Sequence, residues 1–362
     1  MSKHWHLSAP ITAHIEITNA CNEKCVHCYN FDRDEFRPKE VISLGDLHTL
    51  CEDLVKNKIM HVIITGGEPT LEMDLLCRLA KTCLQYDISV SLNSNMVNTY
   101  EEKLNRIKDA GVNHILTTIH SDDHRVHDGI TGIIGSCDKT LDNIQLADRY
   151  GIKITAQTVI SNHNKNSVYS IGQYVNQFGI KKFLANRVIP SCGDSRKTSC
   201  VDKQSMLKVF DALLRLKKDY GMEVGTCRTV PQCLFPDLDK YKDFTNRGCS
   251  AGKKHIVIDP LGNARACVSE ERNYGNIYEI GIKGVWDNMY EWRSMKYIPV
   301  DCQRCHLFES CDGGCRMVAK CCTDSLCGDD NLKVGFQKRS EKGFDIVRRK
   351  GEGAKVKFID RA

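Results

Sequence analysis

No run of 18 apolar residues occurs in this 362-residue sequence, so no segment reads as a membrane-spanning helix. The opening stretch MSKHWHLSAP has none of the apolar core that a signal peptide needs. No internal repeat and no low-complexity segment interrupts the chain. Strong net charge is also missing, since 51 basic and 46 acidic side chains leave +5. Residues 333–362 hold ten Lys or Arg against four Asp or Glu, so the rest of the chain is about neutral. Bulk charge therefore gives no argument for nucleic acid. What remains is a globular composition, 41% hydrophobic and 27% charged, long enough for one large domain and a smaller one. The protein is expected in the cytoplasm.

Cysteine, by contrast, is abundant: the chain has twenty. In a secreted chain they would suggest disulfides; without a secretion signal they suggest metal. They also cluster, with three in residues 21–28 and seven in residues 302–327. The first group, in CNEKCVHCYN, is one ligand short. An iron–sulfur cube or a structural zinc takes four protein ligands, and after Cys28 the next cysteine is Cys51.

Apolar runs alternate with helix-period segments up to about residue 220. Strands are predicted at 11–18, 60–65, 88–94, 112–120, 152–160 and 180–189, and helices near 43–57, 70–84, 100–110, 138–149 and 167–178. In the second helix Leu71, Leu75, Leu79 and Cys83 form an i, i+4 stripe. Six strands separated by helices predict a parallel α/β sheet, open or partly closed into a barrel, with chemistry at the carboxyl ends of the strands. The unusual motifs fall at those ends: CNEKCVHC after the first strand, GGEP (66–69) after the second, NSN (93–95) at the third, HSDDHRVHD (120–128) after the fourth. A helix near 202–219 closes this half, and HIVIDPLGNARACV (255–268) reads as a hairpin turning at Pro260 to Asn263.

Three cysteines can hold three irons of a cube and leave the fourth as an open Lewis acid. The adjacent GGEP offers backbone groups unshielded at two glycines and the Glu68 carboxylate, a combination suited to a chelated amino-acid moiety. Cys21-x3-Cys25-x2-Cys28, with His27 before the last cysteine, resembles the signature of the radical S-adenosylmethionine (SAM) enzymes. Gly66, Gly67, Glu68 and Pro69 resemble that family's motif for the SAM amino group. The segments at 127–144 and 274–288 are also similar to stretches of its larger members. The resemblance implies a partial (β/α)6 TIM-type barrel in which SAM takes the fourth place on the cube. Reductive cleavage then gives a 5′-deoxyadenosyl radical that removes hydrogen from a substrate. A zinc knuckle or a ferredoxin-like carrier is the plainer alternative, but each needs a fourth cysteine nearby.

The second group, Cys249-x12-Gly262-x4-Cys267 followed by Cys302-x2-Cys305-x5-Cys311-x3-Cys315 and Cys327, resembles the SPASM extension, a small C-terminal domain with two auxiliary [4Fe–4S] clusters. The resemblance assigns Cys302, Cys305, Cys311 and Cys327 to one cluster and Cys249, Cys267 and Cys315 to the other. Cys233 or Cys227 is the candidate fourth ligand of the latter, unless that iron stays open. The domains expected are a SAM core over 1–225, the SPASM domain over 226–332 and a basic tail over 333–362. Zinc ribbons are the alternative for the paired cysteines.

Other rim residues have candidate roles. Asn93, Asn95 and Ser121 are placed to hydrogen-bond SAM, and Arg187 at the sixth strand end to neutralise a carboxylate. His120, His124 and His127 fall in the loop that the resemblance puts over the SAM and substrate pocket. Cys192 is either a plain loop cysteine or a hydrogen donor to a substrate radical. Cys77 and Cys83, on a helix, are read as packing. The tail is read as solvated, or as a holder of acidic peptide.

The expected function is oxidation or crosslinking of a peptide or protein substrate, with the auxiliary clusters accepting the residual electron. A small-molecule dehydrogenase, epimerase or decarboxylase, of aminosugar or haem-precursor type, is the alternative. With the triad starting at residue 21, no N-terminal peptide-binding domain is expected, which weakens the peptide reading unless recognition comes from a separate protein or from the SPASM surface. A flavodoxin- or ferredoxin-type reductant is implied. Anaerobic reconstitution is expected to load about twelve irons per chain. Replacing Cys21, Cys25 and Cys28 together by Ala should remove about four of them and abolish SAM cleavage; cleavage retained in that variant would overturn the triad assignment.

Overall fold

The computed structural model describes residues 7–30, 39–189, 200–245 and 247–334, with the backbone of 336–338 and 345–347. Six parallel strands form its centre: β1 (Thr12–Thr18), β2 (His61–Gly66), β3 (Ser89–Asn93), β4 (His114–Thr118), β5 (Lys153–Ile160) and β6 (Lys182–Arg187). Between them lie α1 (Leu44–Lys56), α2 (Met73–Gln85), α3 (Glu101–Asp109), α4 (His124–Thr131), α5 (Ser136–Arg149) and α6 (Val168–Gln177), and α7 (Lys203–Tyr220) follows β6. The strands stand in sequence order in one sheet, as a partial barrel of successive βα units requires.

Strand alternation separates two environments. Ile15, Ile17, Ile64 and Leu92 are fully buried in one core with Leu50, Leu54 and Leu76 of α1 and α2. The other face is polar. There His61 bonds Ser89 (2.7 Å) and Ser91 (3.0 Å), and His114 bonds Thr155 (2.8 Å). Gln157 accepts from Asn186 at 2.6 Å. A sheet apolar toward its helices and polar on its other face provides a concave surface that can hold a polar ligand. The stripe expected on α2 holds for Leu75, Leu79 and Cys83, which are buried; Leu71 lies before the helix, 37% exposed.

Three departures from the sequence expectation matter. The sheet has nine strands. β7 (Glu223–Gly225) adds parallel to β6, and β8 (His255–Ile258) adds parallel to β1, with β9 (Ala264–Arg265) antiparallel to β8. The expected hairpin exists, but it extends the barrel sheet across its β1 edge. Its turn explains Gly262, which has φ +87° and sits where a Cβ would meet the Tyr278 ring at 2.4 Å. Second, the stretch expected as a loop at 120–128 is half helix. Asp123 caps α4 by accepting from Arg125 N–H (2.9 Å), and Gly132 at φ +72° ends it. Third, Phe336–Lys338 (β10) and Asp345–Val347 (β11) pair antiparallel within the basic tail. Apart from Lys333 and Val334, the rest of the tail lies outside the described residues.

Two buried ion pairs join the C-terminal region to the barrel. Arg265 on β9 meets Glu16 on β1 at 2.6 Å. Arg187, at the end of β6, is 4% exposed and forks onto both oxygens of Asp330 while also donating to Thr229 O (2.8 Å). A charge-assisted fork of this kind is expensive to halve, because the abandoned charge stays out of water. Arg187→Met is expected to destabilise the reconstituted protein by about 3 kcal/mol or more, read as a shift of its urea midpoint; a midpoint unchanged from wild type would contradict a structural role for this pair.

Candidate active site

The triad occupies the loop leaving β1. One residue before that loop, the β1–β2 register slips between Glu16 and Thr18, so the chain swings out of the sheet there. The loop is then held from two sides. On one side Lys24 N–H and Val26 N–H bond Thr131 O (2.8 Å) and Ile130 O (3.0 Å) at the end of α4. On the other it is locked to GGEP. Gly67 N–H and Glu68 N–H donate to Thr18 O and Ala20 O, both at 2.8 Å, while Gly66 O accepts from Tyr29 Oη (3.2 Å) and Asn30 Nδ2 (3.0 Å).

These bonds correct the expectation for the glycines. The Gly67 amide is engaged by the end of β1 and the Gly66 carbonyl by the triad loop, instead of lying open to a ligand. A Cβ on Gly67 would stand 2.0 Å from Ala20 O, and Gly66, at φ +132°, would put one 2.2 Å from Thr18 O. Glycine is needed because two backbones touch.

Glu68 is 1% exposed. Its Oε1 accepts from Thr70 N–H (3.0 Å), Thr70 Oγ1 (2.7 Å) and Ser94 Oγ (2.8 Å), and its Oε2 from Asn95 N–H (2.8 Å). Burial raises its pKa, and those donors pull it back toward the charged form. Pro69 opens the short 3-10 turn that Glu68 caps. Asn95 reaches the loop itself, donating to Asn22 Oδ1 at 2.7 Å. Glu68 lies close enough to Cys21 for its charge to help raise that thiol, after burial, which is the main cause.

Amides already aim at two of the sulfurs: Glu23 N–H at Cys21 (3.5 Å) and Asn30 N–H at Cys28 (3.4 Å). Cys25 donates to Glu23 at 3.2 Å, and burial pushes that carboxyl up to about 7. Among the described residues no three His, Cys, Asp or Glu side chains close on one point as a lone ion requires. Each cysteine of a cube binds its own iron, so this spread donor set, with amides directed at sulfur, fits a cluster. Beside it His27 packs edge-on against His120 at 4.6 Å between centroids, and His120 lies 5.4 Å from His127. His120 is 2% exposed and its Nδ1 has no partner, a group that a bound cofactor can satisfy. Burial holds both His120 and His127 below the usual histidine range, the latter at about 4.

Of the other rim residues, Asn93 ends β3, half-buried. Ser121 Oγ accepts from Asp123 N–H (3.0 Å) and so helps start α4. His124 turns away to Tyr174 (2.7 Å) and Asp138 (2.8 Å). Arg187 is a correction: committed to Asp330, it is not available to a ligand carboxylate. Cys192 lies outside the described residues. Sequence reasoning also missed Tyr29, Asn30, Thr70 and Ser94. Three of them lie inside the quoted motifs, but their roles, bonds to Gly66 O or to Glu68, are not visible in spacing.

The C-terminal cysteines form two groups. Burial, then the charges of Cys315 and Cys267, push the Cys249 thiol up to about 12. Cys302, Cys305 and Cys311 line a separate cavity, and Cys233 lines it with them. Cys233, one of two candidates for completing the group of Cys249, Cys267 and Cys315, is thus placed with the other group instead, a second correction. Cys227 is exposed, its amide held by Asn186. Cys327, expected with Cys302, is exposed and donates its thiol to Lys296 O at 3.0 Å.

A sheet with a three-cysteine loop and an acidic clamp at one rim, carrying two further cysteine groups, defines an iron–sulfur radical enzyme. The radical SAM superfamily model matches residues 15–172, and that of SPASM, an iron–sulfur cluster-binding domain, matches residues 249–316. The chain belongs to the radical SAM superfamily, in its SPASM-containing branch. It is 26% identical over 326 residues to mycofactocin maturase MftC of Mycobacterium tuberculosis, covering 87% of this chain and 80% of that one. It is 27% identical over 199 residues to pre-heme d1 synthase of Dinoroseobacter shibae, covering 55% of this chain but only 48% of that relative. Streptococcus suis SuiB, solved with its precursor peptide SuiA, shares the fold at TM-score 0.74 and 16% identity, over 91% of this chain and 76% of SuiB. SAM and [4Fe–4S] clusters are its cofactors.

Glu68→Gln is expected to weaken SAM binding at least about tenfold, ~1.4 kcal/mol, with cluster iron unchanged, in an equilibrium titration of the reconstituted protein. Unchanged affinity would remove this carboxylate from the SAM site.

Proposed function

We propose that the chain modifies a peptide or protein substrate, by oxidation or crosslinking, in the cytoplasm. The observation that carries this is the pairing of a triad rim with two cysteine-rich groups in one sheet-linked unit. When bound, SAM and the reduced cube supply a 5′-deoxyadenosyl radical. Everything else falls to the chain. Cys21, Cys25 and Cys28 hold the cube, Glu68 and Asn95 orient SAM, and the buried His120 and His127 keep water from one wall. His14, on the polar face of β1, keeps a buried Nδ1 without a partner and is available to substrate. Cys249, Cys267 and Cys315, and the Cys302 group, hold metal at a distance from the triad loop, suited to accepting the electron that remains after hydrogen is removed.

Similarity to a maturase over 87% of the chain supports a macromolecular substrate. The similarity to a haem d1 precursor enzyme, confined to 55% of the chain, supports the competing small-molecule reading. A flavodoxin- or ferredoxin-type reductant and a separate recognition protein complete the proposal. No helix among the described residues is long and apolar enough to cross a membrane.

The two readings separate on what stimulates SAM cleavage. The reconstituted enzyme, with reductant and SAM, is expected to make 5′-deoxyadenosine and to remove hydrogen from a short peptide encoded beside its gene, as a mass loss in that peptide. Cleavage stimulated by a tetrapyrrole, with every such peptide left unchanged, would overturn the macromolecular reading.

A further inference from the structure

The cavity at Cys302 has a wall that the family pattern does not supply. Pro231 leads into a 3-10 turn over Gln232–Leu234, which presents Cys233 to the same space as Cys302, Cys305 and Cys311. The turn is fastened there. Gln232 is 4% exposed, its amide side chain donates to Ser310 O (3.1 Å) and accepts from Ser310 Oγ (3.0 Å), and it also reaches Thr245 O. Cys233 thus stands on a segment pinned to the one that carries Cys311.

The sulfurs are also treated as acceptors. Gln232 N–H points at Cys311 (3.3 Å), Leu307 N–H at Cys305 (3.4 Å) and Val334 N–H at Cys233 (3.5 Å). Amides directed at sulfur stabilise thiolate and tune a bound cluster. Gly313, at φ +73°, keeps Cβ bulk away from Cys302, whose sulfur lies 3.4 Å from where one would stand. Lys333, its side chain 7% exposed, lines the same cavity as the four cysteines. Cys327 does not line this cavity; it is exposed, with its sulfur 3.0 Å from Lys296 O.

We propose that Cys233 is the fourth ligand of the cluster held by Cys302, Cys305 and Cys311, in the place that the family pattern gives to Cys327. The proposal rests on the reading that this region binds an iron–sulfur cluster. It also leaves Cys249, Cys267 and Cys315 without Cys233, so their cluster has one iron to be completed by something else.

The test uses the full chain reconstituted anaerobically, with iron and sulfide counted per chain and the oxidised and reduced clusters followed by electron paramagnetic resonance. Cys302→Ala is the reference, since it removes a ligand on either assignment. Cys233→Ala is expected to match it, losing roughly one iron if the cube collapses to three irons and roughly four if it is lost. Cys327→Ala is expected to keep wild-type iron and an unaltered spectrum. Retention of iron in Cys233→Ala, or loss in Cys327→Ala equal to that in the reference, overturns the assignment. If Cys302→Ala itself keeps all its iron, the cluster reading of the region fails instead, and the assignment with it. A far-ultraviolet dichroism spectrum and melt of each apo variant identify misfolding, and Cys233→Ser, whose oxygen can still ligate iron, should recover part of the lost metal if Cys233 is a ligand.

Discussion

One carboxylate organises the junction on which the C-terminal half depends. Asp330 forks onto Arg187 at the end of β6, and its Oδ2 accepts from Cys315 N–H at 2.8 Å while Oδ1 accepts from Leu332 N–H at 3.0 Å. Both the barrel rim and a cysteine of the Cys249, Cys267 and Cys315 group are thereby referred to the same two oxygen atoms. Gly314 is the consequence in sequence: at φ +88°, a Cβ there would stand 2.5 Å from Asp330 Oδ2. A neutral junction of similar volume would cost less desolvation, but it would not direct an amide and a guanidinium with the same geometry.

The triad loop shows the same economy of contacts. Its conformation is set before any iron arrives, by α4 on one side and by the backbone of Gly66 to Glu68 on the other. Buried thiols resist ionisation until metal replaces their protons, as Cys25 shows, its pKa well above the usual range chiefly through burial. What the protein contributes is a preformed loop with amides in place, so that binding the cluster orders little further chain.

The barrel strands and most of its helices were legible because apolar periodicity is a local property: five of β1 to β6 lie inside their expected ranges, and β2 overruns its own by one residue, Gly66. The helix α4 was missed although Asp123 and Gly132 bracket it, because Arg125, Asp128 and its two histidines blur the apolar stripe. The cysteine groups were legible as spacing, but spacing says nothing of which distant segment completes them. Cys233 is 69 residues before Cys302, and the pinning by Gln232 and Ser310 that joins them has no sequence signature. Arg187 was misread for the same reason: its partner lies 143 residues on. In GGEP the composition was read correctly and the reason was not, since a glycine that faces a ligand and one that faces another strand look alike in sequence.

The seating of β8 on β1 has a consequence for how the molecule is made. β1 carries the triad loop, yet its outer edge is completed only by a strand that follows it by more than two hundred residues. Until that strand is synthesised, the nascent barrel offers an unpaired row of amides and carbonyls, the kind of edge through which chains join one another. Long-range pairing of this sort is slow to form because the closing loop spans most of the protein. The edge of β1 thus stays open in the nascent chain until His255–Ile258 has been made.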